Sequence, residues 1–412
     1  MTAKRLLTAV ARHLRRSLPH GVISWRYLLP RQPAAVRIHR QLWLLGRPSR
    51  LPLPLFLLLE LILWLRWVGY ACWRQCWRAV RQRGADIRAR EGIGMARQLW
   101  RLLALGLGHC IPPGEACAFA LYRPGTAMAV WDHVFVHEAS AFHRWRSAGL
   151  PDHVTSQELI RDKVRLATEL SEYGIPMAPT LVLVPRAAPY DPAPALQTAP
   201  RLFCKPRHGS ASRDAFVIEQ GGSDRQPMIF AVVNGLKMQP ATLGALRAAM
   251  AEDDFLVQPL LANHPDLAPL SAGNDAVTVR IITEHDPAGM RCSHAVLEVP
   301  GHAAAGGHHT ILPIDLAAGT VLPFPAERLS SRGGAEHDAI IARIGHRPLP
   351  HWEEIRTSAL AAHRFLPGLF AIAWDYVVTP AGPVMLEGNS GWGTTVPQVL
   401  TGGLLRTRLR EQ

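Results

Sequence analysis

Residues 371–389 read AIAWDYVVTPAGPVMLEGN, two apolar runs separated by a turn signal at Pro380 and Gly382. Asp375 lies in the first run and Glu387 in the second. Taking 379–383 as a loop symmetric about Ala381 places the two carboxylates directly opposite each other on an antiparallel hairpin. Asn389, two residues further on, then projects from the same face. Like charges directly opposite destabilise a sheet. They become favourable around a hard divalent cation, because magnesium takes carboxylate and amide oxygens together with phosphate oxygens. The competing reading puts both acids at strand ends in water, and a slip of one residue would separate them.

Outward from the hairpin, the body alternates short strands and helices. Residues 159–172 (LIRDKVRLATELSE) have helical spacing and stop at Gly174, and IPMAPTLVLVP follows as a Pro-bounded strand. The Pro- and Ala-rich stretch 186–200 reads as a surface loop. Strands are expected near 202–205, 215–219, 255–259, 276–283, 293–299, 371–378 and 384–387, and helices near 242–251 and 352–363. Without the strict βαβ repeat of a Rossmann sheet, this pattern predicts an α+β fold with largely antiparallel sheets.

The chain holds four lysines (4, 163, 205 and 237) against 41 arginines. Positive charge is supplied by arginine by default, so the lysines invite a specific reading. Lys163 opens the RDK helix, and Lys205 ends an apolar strand in LFCKPRHGS before a small-residue turn. A compact ammonium suits a phosphate oxygen, although each lysine alone reads equally as a solvated surface residue. FLVQPLL (255–261) is a strand running into a Pro-containing segment that could offer backbone groups to an adenine edge, or simply a core strand. Arg280, alone in VTVRIIT, must be paired or face a polar cavity. In a cleft with magnesium it would neutralise a transferring phosphoryl group; at a strand edge it would form a salt bridge.

As an ordered set, Asp162-Lys163, FCKP with its small-residue loop, VQPLL, TVRIIT and WDY…LEGN resemble an ATP-grasp fold. The nearest resemblance is to the sugar-transfer-associated ATP-grasp group, from about Ser156 to the end. The resemblance implies two α+β subdomains clasping ATP. It implies that Lys163, Lys205, Gly209 and Ser210 contact ATP, with Gln258, Pro259, Leu260 and Leu261 as the adenine hinge. Asp375, Glu387 and Asn389 would hold Mg2+, and Arg280 would act catalytically beside the transferred phosphate. Two departures stand out. The loop 208–214 (HGSASRD) carries a single glycine, and Pro259 stands where a backbone donor is common. His302, His308 and His309 lie around Gly306-Gly307, a pattern that suits a loop over the site better than a zinc centre.

The rest of the chain has a different composition. Of the net +13, residues 1–101 carry +17, leaving −4 for the remainder, and seven of the 12 tryptophans lie in this basic arm. Residues 51–73 (LPLPLFLLLELILWLRWVGYACW) are long enough to span a bilayer. Glu60 and Arg66 lie within that run on different sides of a helix, and each is costly at mid-bilayer. Arg and Trp flanks suit a helix lying at the headgroup level of an anionic membrane. Helices packed on the body are the alternative, and a true span is a third. The arginines alternate with Leu and Trp and match no nucleic-acid motif, so no nucleic-acid partner is expected. Six cysteines without a CxxC pair exclude a disulfide scaffold and fit a reducing cytosol. The expected organisation is a helical region 1–110, then a body 111–412 divided into a lead-in (111–158), a nucleotide lid (159–256) and a metal- and substrate-binding part (257–412). The expected location is cytoplasmic, peripheral on the inner face of the cytoplasmic membrane.

By this resemblance the chain is an ATP- and magnesium-dependent carboxylate–amine ligase working through an acyl phosphate, with small-molecule, sugar-linked substrates in polysaccharide or cell-envelope biosynthesis. An ATP-grasp kinase acting on a hydroxyl, and a non-catalytic membrane-associated nucleotide-binding scaffold, are the rival readings.

Overall fold

The computed structural model describes residues 3–126, 128–209, 214–221, 226–233, 237–271, 275–286, 289–301, 309–323 and 334–406. The chain forms two compact units, one from 1–148, 325–334 and 391–412, the other from 149–324 and 335–390.

The first unit is helical. Its longest element runs from Leu53–Arg66 through a π turn, Trp67–Ala71, into Cys72–Glu91. The helix begins at Leu53, two residues earlier than two prolines would suggest, because Pro54 occupies the first turn, where its missing N–H has no partner to lose. The helix Met95–His109 packs back on it, with Trp67 Nε1 donating to Gly106 O at 2.7 Å. His39, on Ala34–Leu45, is buried and bonds Glu138 at 2.9 Å and Trp131 O at 3.2 Å. Gln398, on the late helix Thr395–Thr401, accepts from Val134 N at 2.7 Å and donates to Val134 O at 2.6 Å. The basic arm is therefore folded together with residues 130–138 and the late helix.

The second unit is α+β, with two sheets antiparallel throughout. Its strands are β1 Val182–Val184, β2 Arg201–Pro206, β3 Phe216–Glu219, β4 Met228–Val233, β5 Lys237–Ala241, β6 Phe255–Pro259, β7 Thr278–Asp286, β8 Gly289–Val299, β9 Thr310–Pro313, β10 Ala371–Thr379 and β11 Gly382–Asn389. One sheet has the order β1-β6-β2-β3-β4-β5, the other β11-β10-β7-β8-β9. Leu202, Cys204, Phe216, Ile218 and Val257 of the first sheet join Leu246 and Met250 of the helix Leu243–Met250 in one apolar cluster.

In the second sheet, alternation sorts side chains onto two faces. Val279, Ile281, Leu297, Leu312, Trp374, Tyr376 and Met385 lie in one apolar cluster with Trp352, Ile355, Ala359 and Ala362 of the helix Trp352–Phe365. These helical positions recur at three- and four-residue spacing, so one stripe faces the sheet. Gly388, opposite Trp374, is required by close approach: a Cβ there would stand 2.6 Å from the buried indole.

Several expected boundaries move. The predicted helix 159–172 is two helices, His153–Leu159 and Lys163–Glu172, because Asp162 caps the second, accepting from the N–H groups of Val164 and Arg165 at 3.2 Å. The predicted loop 186–200 contains the helix Ala193–Thr198. β4 and β5 were not expected, and β9 lies inside the stretch read as a histidine-bearing loop.

Candidate active site

The polar face of the second sheet opposes the apolar cluster. Arg280 on β7 lies directly opposite Asp375 on β10, which lies directly opposite Glu387 on β11. Arg280 donates from Nε to Asp375 Oδ1 at 2.7 Å and from Nη2 to Oδ2 at 3.0 Å, a bidentate pair. Its Nη1 lies 2.8 Å from Glu298 Oε1 on β8. Asn389 donates to Asp375 at 3.2 Å and to Glu387 at 3.3 Å. Three carboxylates therefore share one guanidinium and one amide. Burial pushes the Asp375 carboxyl up to about 6; Arg280 pulls it down, while Glu298 and Glu387 raise it further.

The facing of Asp375 and Glu387 is as the hairpin predicted, but the turn is not. Thr379 pairs with Gly382, so the turn has two residues, Pro380 and Ala381, rather than a loop symmetric about Ala381. Pairing continues one residue out of the predicted register to Tyr376 and Met385. A bulge at Leu386 then restores it, bringing Glu387 opposite Asp375. The extra residue's carbonyl accepts from Lys205 Nζ at 3.3 Å.

Lys205, at the end of β2, is 8% exposed. Burial lowers its pKa; Glu387 and Asp375 pull it up, and Lys163 pushes it down again. Lys163 is also depressed by burial and supported by Glu387 and Asp253. The structure thus brings both lysines into the field of the acidic group. Lys163 Nζ donates to Pro206 O at 3.1 Å and Gly209 O at 2.9 Å, anchoring the turn after β2. Arg207 reinforces that anchor, bonding Asp162 at 2.8 and 2.6 Å and Asp254 at 3.1 Å. Ser210 lies outside the described residues, as do His302 and His308.

The predicted hinge has a narrower role than its motif suggested. The Gln258 side chain is buried and donates to Ala178 O at 3.1 Å, and its backbone pairs with Phe203 of β2. The Leu260 N–H donates to Arg201 O at 2.9 Å, and Pro259 has no N–H. The Leu260 carbonyl and the backbone of Leu261 lie beyond the β2–β6 ladder.

Two contributors are absent from the expected site residues. Glu298 lies in the expected strand 293–299, where alternation in SHAVLEV separates it from the apolar Leu297 and Val299; only the pairing of β8 with β7 shows that it reaches Arg280. Arg207 carries no signal in the sequence beyond its place after the FCKP run.

Two antiparallel sheets, an acidic trio with an amide on one face, the buried Lys205 and the half-buried Lys163 beside it make up the site. A family model described as sugar-transfer-associated ATP-grasp matches residues 153–412. The chain belongs to that family. Solved structures similar to this ATP-grasp chain include D-alanyl-alanine synthetase A from Vibrio cholerae, at 12% identity and a TM-score of 0.39, over 62% of this chain and 67% of that one. The VanG D-Ala:D-Ser ligase from Enterococcus faecalis matches at 13% identity, a TM-score of 0.37 and 62% of each chain. The carboxyaminoimidazole ribonucleotide synthase from Aspergillus clavatus, complexed with ATP, matches at 13% identity and a TM-score of 0.36, over 62% of this chain and 52% of that one. The chain thus spans between about half and two thirds of these proteins' lengths. No curated protein matches its sequence.

The ATP-grasp site's donor set fits a hard divalent cation. Its acidic donors are all oxygens, Glu298 and Glu387 add to the rise in Asp375's proton affinity, and the Asn389 amide needs only a half-turn to present its oxygen instead of its nitrogen. His309, just before β9, has a buried Nδ1 without a partner; burial and then the Arg280 charge hold its pKa down to about 4, leaving the ring neutral at pH 7.

Proposed function

We propose that this chain is an ATP- and magnesium-dependent ligase joining a small-molecule carboxylate to an amine through an acyl phosphate. The observation that carries the reading is the single sheet face on which Asp375, Glu387, Asn389 and Glu298 surround Arg280, bordered by Lys205 and Lys163. Asp375, Glu387 and Asn389 would hold magnesium, which when bound would neutralise charge on the phosphates and polarise the transferred group. Lys205 and Lys163 lend positive charge to phosphate oxygens at the turn after β2, and Gly209 lies in the same turn. Past Gln258 and Pro259, the Leu260 carbonyl and the Leu261 backbone hold the adenine edge. Arg280, kept planar and fixed by Asp375 and Glu298, faces the group in transfer.

A substrate carboxylate oxygen attacks the γ-phosphorus and the bond to ADP breaks. The amine nitrogen then attacks the acyl carbon, the carbon–oxygen bond to phosphate breaks, and the amine proton passes to solvent. No protein nucleophile is required, since the site orients reactants and balances charge. The family's description mentions association with sugar transfer; sugar-linked substrates in polysaccharide or envelope assembly are part of this proposal.

Oxygen tracing tests the chemistry. With an 18O-labelled carboxylate drawn from an acid that accumulates in a deletion strain, label should appear in the released phosphate. Formation of a phosphoester and ADP without free phosphate would instead establish the kinase reaction. Absence of any magnesium-dependent stabilisation by ATP would leave only a non-catalytic scaffold that has lost its nucleotide.

We further propose that the first unit rests on the inner, anionic face of the cytoplasmic membrane. The helix Leu53–Glu91 is long and apolar enough to cross a membrane. Its buried side, with Phe56, Leu59, Glu60, Leu63 and Trp67, packs within the unit, while Leu57, Leu58, Leu61, Ile62, Leu65, Trp73 and Trp77 are exposed. An apolar stripe flanked by arginines and indoles suits a headgroup boundary.

A further inference from the structure

Away from the ATP-grasp face, the helical unit buries three side chains whose donor atoms converge. His13 comes from the helix Ala3–Leu14, His20 from the segment after it, and Glu60 from Leu53–Arg66. Nε2 of His13 and Nε2 of His20 each lie 2.7 Å from the same oxygen, Glu60 Oε1. One donor atom from each residue lies within 4.8 Å of the others. The second carboxylate oxygen is held elsewhere: Oε2 accepts from Trp43 Nε1 at 2.7 Å. That indole is itself seated by Gly21, where a Cβ would lie 2.7 Å from the ring. Glu60 is therefore oriented so that one oxygen points at two imidazoles.

The atoms that converge are the two Nε2 nitrogens and one carboxylate oxygen, and the ring of His13 and the Glu60 side chain are buried away from water. Two imidazoles and one carboxylate are a zinc donor set. Tetrahedral zinc separates its ligand atoms by roughly 3.3 Å, so small side-chain rotations from the observed 2.7 Å would admit the ion.

We propose that His13, His20 and Glu60 form a zinc site that fastens the first helix and its following segment to the long helix. Leu6, Val10 and Leu14 already pack on Leu51, Phe56 and Leu59, a small apolar cluster that a metal bond would reinforce. The site is independent of the nucleotide chemistry proposed above.

The test uses the full chain carrying Glu387→Gln, to remove a competing oxygen ligand in the ATP-grasp face. The chain is stripped with a chelator and titrated with Zn2+ against a chromogenic chelator, then loaded with Co2+ for visible absorption. One zinc per chain and an intense tetrahedral cobalt spectrum are expected. His20→Gln should weaken zinc by more than about tenfold. Trp43→Phe, which leaves the ligands in place but frees Oε2, should weaken it by about tenfold with an unchanged circular dichroism spectrum. Failure to bind one zinc tightly, or equal affinity in the Glu387→Gln chain with and without His20→Gln or Trp43→Phe, would overturn the site.

Discussion

Asp375 and Glu387 illustrate how much one residue's position decides. Asp375 sits between the core residues Trp374 and Tyr376, so alternation turns its carboxylate to the opposite face, whereas Glu387, two residues after the buried Met385, reaches that face through the bulge at Leu386. Glu387→Gln removes one charge from the proposed cation site at nearly constant volume. ATP turnover should fall at least about a hundredfold, as on losing a preorganised charge contact, with the thermal unfolding temperature retained. Turnover at the wild-type rate would sink the cation assignment. A second expectation follows from Asp375, whose carboxyl is pushed up to about 6 chiefly by burial. Magnesium affinity, measured calorimetrically, should drop as pH falls through about 6, because proton and cation compete for the same oxygens. The unliganded chain should respond with the opposite sign. Between about pH 6 and the ordinary carboxylate range the folded state holds a proton that the unfolded state releases, so stability should rise as pH falls through that window. A magnesium affinity flat from pH 7 to 5 would exclude Asp375 as a ligand.

At the level of elements, the β10–β11 hairpin carries both the core and the site. Its two-residue turn and the bulge at Leu386 compensate, so the carboxylates meet although the simple count of the loop was wrong. The bulge also frees the Leu386 carbonyl for Lys205, linking the two sheets at the place where charge is concentrated. Gly388 marks the tightest point, against Trp374, whose Nε1 donates to Thr283 Oγ1 at 2.9 Å. Gly388→Ala should cost about 1–3 kcal/mol, the usual range for overpacking a fixed core. Chemical denaturation would register this as a lower midpoint at constant slope. An unchanged midpoint would mean that the indole moves freely, and that the core does not fix the register of the site.

On the scale of the whole molecule, each unit closes its own core. The second builds both sheets and their covering helices from residues 149–390. A chain of those residues should fold cooperatively and gain thermal stability from ATP with magnesium; an unfolded product would show that the helical unit is needed to complete it. Truncation at Cys110 is a poorer cut, because Glu138 and Trp131 would lose His39. Membrane attachment has its own signature. The charge of +17 over residues 1–101 should be screened by salt, whereas the exposed Leu, Ile and Trp stripe should not. Partial release by high salt and full release by detergent are expected in sedimentation with anionic vesicles. Complete release by salt alone would remove the apolar contribution, and no binding at all would leave the arm as a packed helical unit.

The sequence by itself determined the α+β class and the antiparallel character of the body, since period-two alternation and turn residues act locally; Asp375 meets Glu387 as read only because the short turn and the bulge at Leu386 cancel. It also marked Lys163, Lys205 and Arg280 by their rarity in their surroundings. Tertiary structure alone decided what those groups touch. Glu298 joins Arg280 because β8 pairs with β7 in one register, and Gln258 turns from hinge to strut because the segment before β1 passes over it. Glu60, costly inside an apolar helix when read alone, is held by His13, His20 and Trp43 from three other parts of the chain. Pairing across long sequence separation depends on which surfaces fit together, and a linear pattern of residue types does not encode that fit.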